Sequence, residues 1–388
     1  MSFVDKYIKG DRVIWLVAIL LALLSILSVY SASGSLAYKH QGGNTFYYLF
    51  KHGIMLFVGL GLMLFAEKMD YKYYSRISQL ALILAVPLLL VTLIMGVNIG
   101  NASRWLVIPG INQTFQTSDF AKLALIMYLA RLLYKKQDNI QDFKSAFLPI
   151  MVPVLLVCGL ILPANFSTAA ILFTTCLIIM FIGRVNIKYI LSLIGIGLGS
   201  LMLMLLIAKA KPELLPRLDT WVSRIESFSD GSSEGNYQAE QAKIAIAIGG
   251  PFGKVMTGKG NSTQRNFLPQ SSSDFIYAII IEEYGLIGGM LVIILYLILF
   301  YRGIKIAQKS EKTFGTFLAV GLSFSLVFQA MINMAVAVNL FPVTGQPLPL
   351  VSMGGTSIWF TCLAIGIILS VSRKAEKSIK QKKVNVAV

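Results

Sequence analysis

The chain has 388 residues, of which 56% are apolar and 13% charged, with 34 Lys or Arg against 18 Asp or Glu for a formal charge of +16. A soluble domain carries about 25% charged residues, so the composition excludes an ordinary soluble enzyme and indicates a polytopic membrane protein. No basic stripe with interleaved aromatics falls on a soluble segment, which argues against a nucleic-acid partner for so basic a chain.

A membrane helix needs roughly 20 apolar residues to cross a ~30 Å hydrocarbon core. Such runs lie near 13–32, 48–66, 77–97, 119–134, 146–162, 165–183, 186–208, 274–300, 314–340 and 353–372. The expectation is therefore an all-α, single-domain membrane protein of about ten transmembrane helices. One long extracytoplasmic loop covers about 209–273, and a tail about 373–388. The first run follows Lys6, Lys9 and Arg12; it is too long, and lacks the small-residue cleavage site, for a signal peptide, so a retained helix is expected. Lys and Arg are concentrated in the segments that place both termini in the cytoplasm. The three cysteines lie in apolar runs without metal or redox spacing, as small buried hydrophobes do.

In chain order, the second helix is rich in glycine (Gly53, Gly59, Gly61), a mark of close helix packing. The next outer loop carries Arg104 and Trp105 and leads through Phe115-Gln116-Thr117-Ser118-Asp119 into a helix. Ser118 has the chemistry of its N-cap, and Asp119 suits the positive helix terminus. Lys122, one turn inside, can snorkel to the headgroups, or join Arg104 in holding an anion at the same face. The Pro163-to-Thr168 segment reads as a Pro-broken reversal.

A loop as long as 209–273 is uncommon unless it serves a site. Within it, 212–221 and 238–248 read as short amphipathic helices lying on the membrane. The loop ends at Asp274, read as the ionisable first residue of an apolar helix, a costly placement unless the carboxylate is paired or used. Glu282 and Glu283 lie roughly 12–14 Å deeper at 1.5 Å per residue, on faces about 80° and 180° round from Asp274. Gln329 and Asn333 share one face of the ninth helix as interhelical hydrogen-bonding groups. The uncharged, Pro- and Gly-dense stretch 341–357 reads as a rigid re-entrant connection, tolerated at membrane depth only inside protein or beside water.

This ordered set resembles the SEDS (shape, elongation, division and sporulation) family, the FtsW/RodA/SpoVE group of bacterial cell-wall proteins, over nearly the whole chain. Arg104-Trp105, Phe115-Gln116 through Lys122, Tyr237-Gln238, Gly249-Gly250 with Gly253-Lys254, Leu268-Pro269 with Asp274, Glu282-Glu283, Gln329 with Asn333, and Pro342 through Ser357 carry the likeness. Two positions depart from the family pattern: Asn165 stands where an Asp is usual, and Asp119 where a Glu is usual.

The resemblance implies a lipid II polymerase of the bacterial inner membrane, working with a class B penicillin-binding transpeptidase and other division membrane proteins. It maps the family's essential Asp onto Asp274 and its fourth-helix lysine onto Lys122. In lipid II polymerisation the sugar leaves a lipid diphosphate, so the chemistry asks for a base on the attacking hydroxyl and for cations on the diphosphate. Asp274 is the expected base. Lys122, Arg104 and Lys254 are expected on the diphosphate, with Glu283 and Gln238 as further substrate-binding candidates. No organic cofactor is expected, and a divalent cation, Mg²⁺ or Mn²⁺, is compatible with such a site. A lipid II flippase and a non-catalytic division scaffold are the competing readings.

Overall fold

A computed structural model describes residues 9–99, 102–108, 113–210 and 237–386. Each of the ten apolar runs lies mainly on a helix. In chain order these are α1 (Arg12–Ala32), the short α2 (Gly34–His40), α3 (Thr45–Lys68), α4 (Tyr71–Met95), α5 (Thr117–Lys135) and α6 (Leu148–Ile161). They continue with α7 (Phe166–Ile182), α8 (Ile187–Ala210), α9 (Tyr237–Gly249), α10 (Gly253–Met256), α11 (Ile276–Lys309), α12 (Thr313–Ala337) and α13 (Thr356–Val386).

By length and composition alone, seven helices among the described residues are long and apolar enough to cross a membrane. The remaining helices on apolar runs are α5, which carries Asp119, Lys122 and Arg131, the 17-residue α7, and α8, whose stretch Ile187–Gly197 is apolar. This is a multi-pass membrane protein.

The all-α expectation needs one amendment. Between α4 and α5 the chain forms a three-stranded antiparallel sheet of β1 (Val97–Ile99), β2 (Ala102–Ile108) and β3 (Gln113–Gln116). Val97 pairs with Trp105 while Asn98 pairs with Ser103. Arg104 is thus the extra residue of a bulge, a feature that bends a strand and re-aims a side chain.

Up-and-down connectivity places this sheet, the α6–α7 turn, the 237–275 segment and the α12–α13 loop at one end of the bundle. The start of α1 and the later part of α13 lie at the other. That opposite end is closed by ion pairs: Arg302 Nε donates to Asp11 at 2.8 Å, Arg373 meets Glu67 at 3.2 Å, and Lys374 meets Asp70 at 3.4 Å. Of the three glycines in α3, only Gly59 faces a neighbour closely, the Cys362 side chain of α13.

The segment expected to lie on the membrane as an amphipathic helix, 238–248, packs instead along α11. Its buried residues are small (Ala239, Ala242, Ala245 and Gly249), which lets the two backbones approach. A Cβ at Gly249 would sit 2.1 Å from the Ile281 carbonyl oxygen, and one at Gly253 2.2 Å from that of Glu283. On the other side α11 is broken at Gly285, whose φ of 71° is cheap only for glycine. The N–H groups freed by the break bond back across the contact, Leu286 N–H to Gly250 O at 2.9 Å and Ile287 N–H to Pro251 O at 3.4 Å. The helix read at 212–221 lies outside the described residues.

Candidate functional site

Asp274 is not the first residue of its helix. It lies in the turn before α11, which begins at Ile276 with Phe275 at the N-cap position. The backbone of that turn is fixed by three successive carbonyl groups. Ser272 O accepts from Met353 N–H at 2.9 Å, Ser273 O from the Ser352 hydroxyl, and Asp274 O from Asn333 Nδ2 at 2.7 Å. All three donors come from α12 or the loop after it.

Uncharged and Pro-rich, that loop is itself held by amides and a hydroxyl. Asn333 Nδ2 also donates to Gln346 O at 2.7 Å, Gln329 Nε2 to Pro347 O at 2.9 Å, and Gln346 Nε2 to the Thr168 hydroxyl at 2.6 Å. Ser25 donates to Val351 O at 2.7 Å and meets the buried His52 ring, also at 2.7 Å. Gln329 and Asn333 thus hold the loop, and Gln329 also makes the expected interhelical hydrogen bond, accepting from Lys122 of α5.

Over Gly345 this scaffold brings two charged side chains together. A methyl group at Gly345 would lie 3.6 Å from Asp274 Oδ2 and 3.9 Å from Arg104 Nη1. Arg104, projecting from the sheet bulge, anchors its Nε on Ala164 O at 3.0 Å in the α6–α7 turn. Within that turn Asn165 caps α7, its Oδ1 accepting from Thr168 N–H at 3.2 Å.

Lys122 neither snorkels nor stands alone. Its ammonium meets Asp119 at 2.7 Å and donates to Gln329 Oε1 at 3.0 Å. Gln329 therefore bridges Lys122 to the loop beside Asp274. The cavity below Lys122 is small, about 40 Å³, room for only a few waters at ~10–15 Å³ each. Ser118 is not the N-cap of α5, which starts at Thr117; it accepts from Gln116 Nε2 at 3.1 Å.

Lys254 and Glu283 belong to a second cluster. Lys254 pairs with Glu282 at 3.3 Å and donates to the Thr263 hydroxyl at 2.7 Å. Buried Glu282 also accepts from Thr263 N–H at 2.8 Å and from the Ser262 hydroxyl. Glu283, equally buried, accepts from Ser262 N–H at 3.1 Å and from the Ser31 hydroxyl, while Arg265 donates to Ser31 O at 3.0 Å. The two glutamates point to different faces of α11, yet one short strap, Ser262 to Arg265, reaches both. Gln238 is half-buried in the first turn of α9 and joins neither cluster through any described hydrogen bond.

Sequence reading passed over Ser262, Thr263 and Arg265, which carry no pattern of their own. It assigned no structural part to Gln346 or Ser352. Asp119 at i−3 from Lys122 was a readable signal.

The fold and site define a polytopic membrane protein with a carboxylate and a guanidinium converging at one end of its bundle. A family model described as a cell cycle protein, FtsW/RodA/SpoVE, matches residues 11–377, and the chain belongs to that family. It is 34% identical over 378 residues to the probable peptidoglycan glycosyltransferase FtsW of Geobacter sulfurreducens, covering 96% of each chain. It is also 34% identical over 375 residues to stage V sporulation protein E of Bacillus subtilis, covering 95% of this chain and 98% of that one. Two solved structures share the fold. One is a chain of a peptidoglycan synthase complex (TM-score 0.76, 21% identity, 95% and 99% covered). The other is the rod shape determining protein RodA of Thermus thermophilus (TM-score 0.67, 21% identity, 95% and 98% covered).

Proposed function

We propose that this chain is a peptidoglycan glycosyltransferase that polymerises lipid II for the septal wall during cell division. The relatives named as probable peptidoglycan glycosyltransferases, aligned over 96% of the chain, support the activity. The observation that carries the chemistry is the meeting of Asp274 and Arg104 over Gly345.

In the reaction, the hydroxyl of the acceptor sugar attacks the anomeric carbon of the donor. The new glycosidic C–O bond forms as the bond to the lipid diphosphate breaks, and the hydroxyl proton passes to the Asp274 carboxylate. Negative charge grows on the departing diphosphate, where the Arg104 guanidinium offers a planar pair of donors. Lys122 serves the same group by exchanging its Asp119 and Gln329 partners for phosphate oxygens. Lys254 and Glu283 act at one remove, fixing the strap beside α11.

A divalent cation would draw most of its ligands from the diphosphate, because among the described residues no three His, Cys, Asp or Glu side chains are gathered to hold one. The site end of the bundle faces outward and both termini face the cytoplasm, as the basic residues favour. A class B penicillin-binding transpeptidase is the partner, a reading favoured by the likeness to a chain of a peptidoglycan synthase complex.

The test is polymerisation of purified lipid II by the protein with its transpeptidase, comparing wild type with Asp274→Asn and Lys122→Ala. Glycan strands from wild type and none from Asp274→Asn are expected. An assembled pair that makes no strands but moves lipid II between vesicle leaflets would replace the enzyme reading with the flippase.

A further inference from the structure

A second cavity, of about 440 Å³, is bordered by the turn that leads to Asp274. That volume falls in the roughly 300–1,000 Å³ range of ligand pockets, and is some ten times the space below Lys122. One wall is Ser271 to Ser273, the three residues immediately before Asp274, with Met353 beside them. Facing it are Lys39, near the end of α2, and Lys51, in the second turn of α3. Among the described residues lining the cavity there is no Asp or Glu.

The two lysines differ from those of the neighbouring clusters. Lys122 and Lys254 are each held by a carboxylate and a second polar group. No described hydrogen bond or ion pair engages Lys39 or Lys51, so both ammonium groups are available to an anion. Two ammonium groups at one cavity without a compensating carboxylate repel each other, and an anionic ligand relieves that repulsion.

We propose that this cavity is the subsite for the diphosphate of the acceptor glycolipid, held by Lys39 and Lys51. The inference rests on the glycosyltransferase reading, in which two lipid-linked saccharides must be bound at once. The acceptor's attacking hydroxyl and its own diphosphate lie at opposite ends of its saccharide. Its hydroxyl belongs at Asp274, and its diphosphate must therefore be gripped by cations set apart from those on the departing diphosphate. Arg104 meets Asp274 over Gly345, whereas Lys39 and Lys51 line a separate cavity together with Ser271 to Ser273.

The test uses the full chain with its transpeptidase in phosphatidylcholine nanodiscs. With Lys39→Gln and Lys51→Gln combined, the lipid II concentration at half-maximal rate should rise about tenfold, the equivalent of ~1.4 kcal/mol, with most of the effect on half-saturation. The Lys39→Arg, Lys51→Arg pair should stay near wild type. An unchanged half-saturation in the glutamine variant overturns the proposal. So does competition by added phosphatidylglycerol that disappears in that variant, which would mark the cavity as a phospholipid headgroup site. Direct binding of a short-chain prenyl diphosphate supplies a readout independent of turnover, and is expected to weaken in the glutamine variant. If wild type makes no glycan, the enzyme reading fails while this binding still decides the anion site: equal binding by wild type and variant removes it.

Discussion

Asn333 on α12 donates its side-chain amide to the main-chain carbonyl of Asp274 at 2.7 Å, and the same nitrogen donates to Gln346 O at 2.7 Å. One amide thereby sets the turn that carries the carboxylate against the loop that carries Gly345. Replacing it with alanine removes the donor from one buried and one part-buried carbonyl, at ~1–3 kcal/mol for the buried one. Displacement of a reacting group by 1 Å can cost on the order of 100-fold. Asn333→Ala is therefore expected to lower kcat by roughly 10- to 100-fold with little change in KM. A loss confined to KM would show that Asn333 does not position Asp274.

Arg104 performs two tasks with one planar group, anchoring Nε on Ala164 O at 3.0 Å while Nη1 reaches over Gly345. A lysine has one nitrogen and cannot do both. Arg104→Lys should retain charge yet lose activity by at least about tenfold, the worth of ~1.4 kcal/mol. Full activity in a lipid II polymerisation assay would reduce Arg104 to a point charge.

Glu282 is fully buried, and Lys254 is its ion-pair partner. Removing one member of a buried pair costs ~3–5 kcal/mol; the donors from Ser262, Thr263 and Gln264 that remain on Glu282 place this case at the low end. Thermal unfolding in detergent should show a clear fall in Tm for Lys254→Met and substantial recovery in Lys254→Met with Glu282→Gln. Equal Tm for both variants would mean that the pair does not stabilise the strap.

Asn165 already fulfils the structural duty of its position by capping α7. A carboxylate there keeps the cap and adds a favourable charge at the helix start, ~0.3–1 kcal/mol. Asn165→Asp should raise Tm slightly and change the polymerisation rate by less than about threefold, under ~0.7 kcal/mol. A large rise in rate would assign that carboxylate a part in the chemistry.

What the sequence disclosed follows from the range of the forces involved. Apolar runs report on lipid residue by residue, so each of the ten runs reappears on a helix, although α11 begins at Ile276 rather than Asp274 and runs on to Lys309, and α13 continues through the expected tail to Val386. The sheet at Val97 to Gln116 escaped because its strands are only three, seven and four residues long. The spacing of Ala239, Ala242, Ala245 and Gly249 was a packing stripe taken for an amphipathic face. Side-chain partners were legible when local, as with Asp119 and Lys122. They were illegible when distant, as with Lys122 and Gln329, which lie 207 residues apart.

The contact between α9 and α11 has a further consequence. Gly249, Gly250, Pro251 and Gly253 meet Ile281 to Ile287 through peptide groups, not side chains. A joint made of peptide groups has its depth set by chain geometry, like a tongue in a slot, and is indifferent to most substitutions on either surface. The outward faces of both helices are free to change with whatever lies against them, while the tongue stays seated at one height beside the broken turn at Gly285.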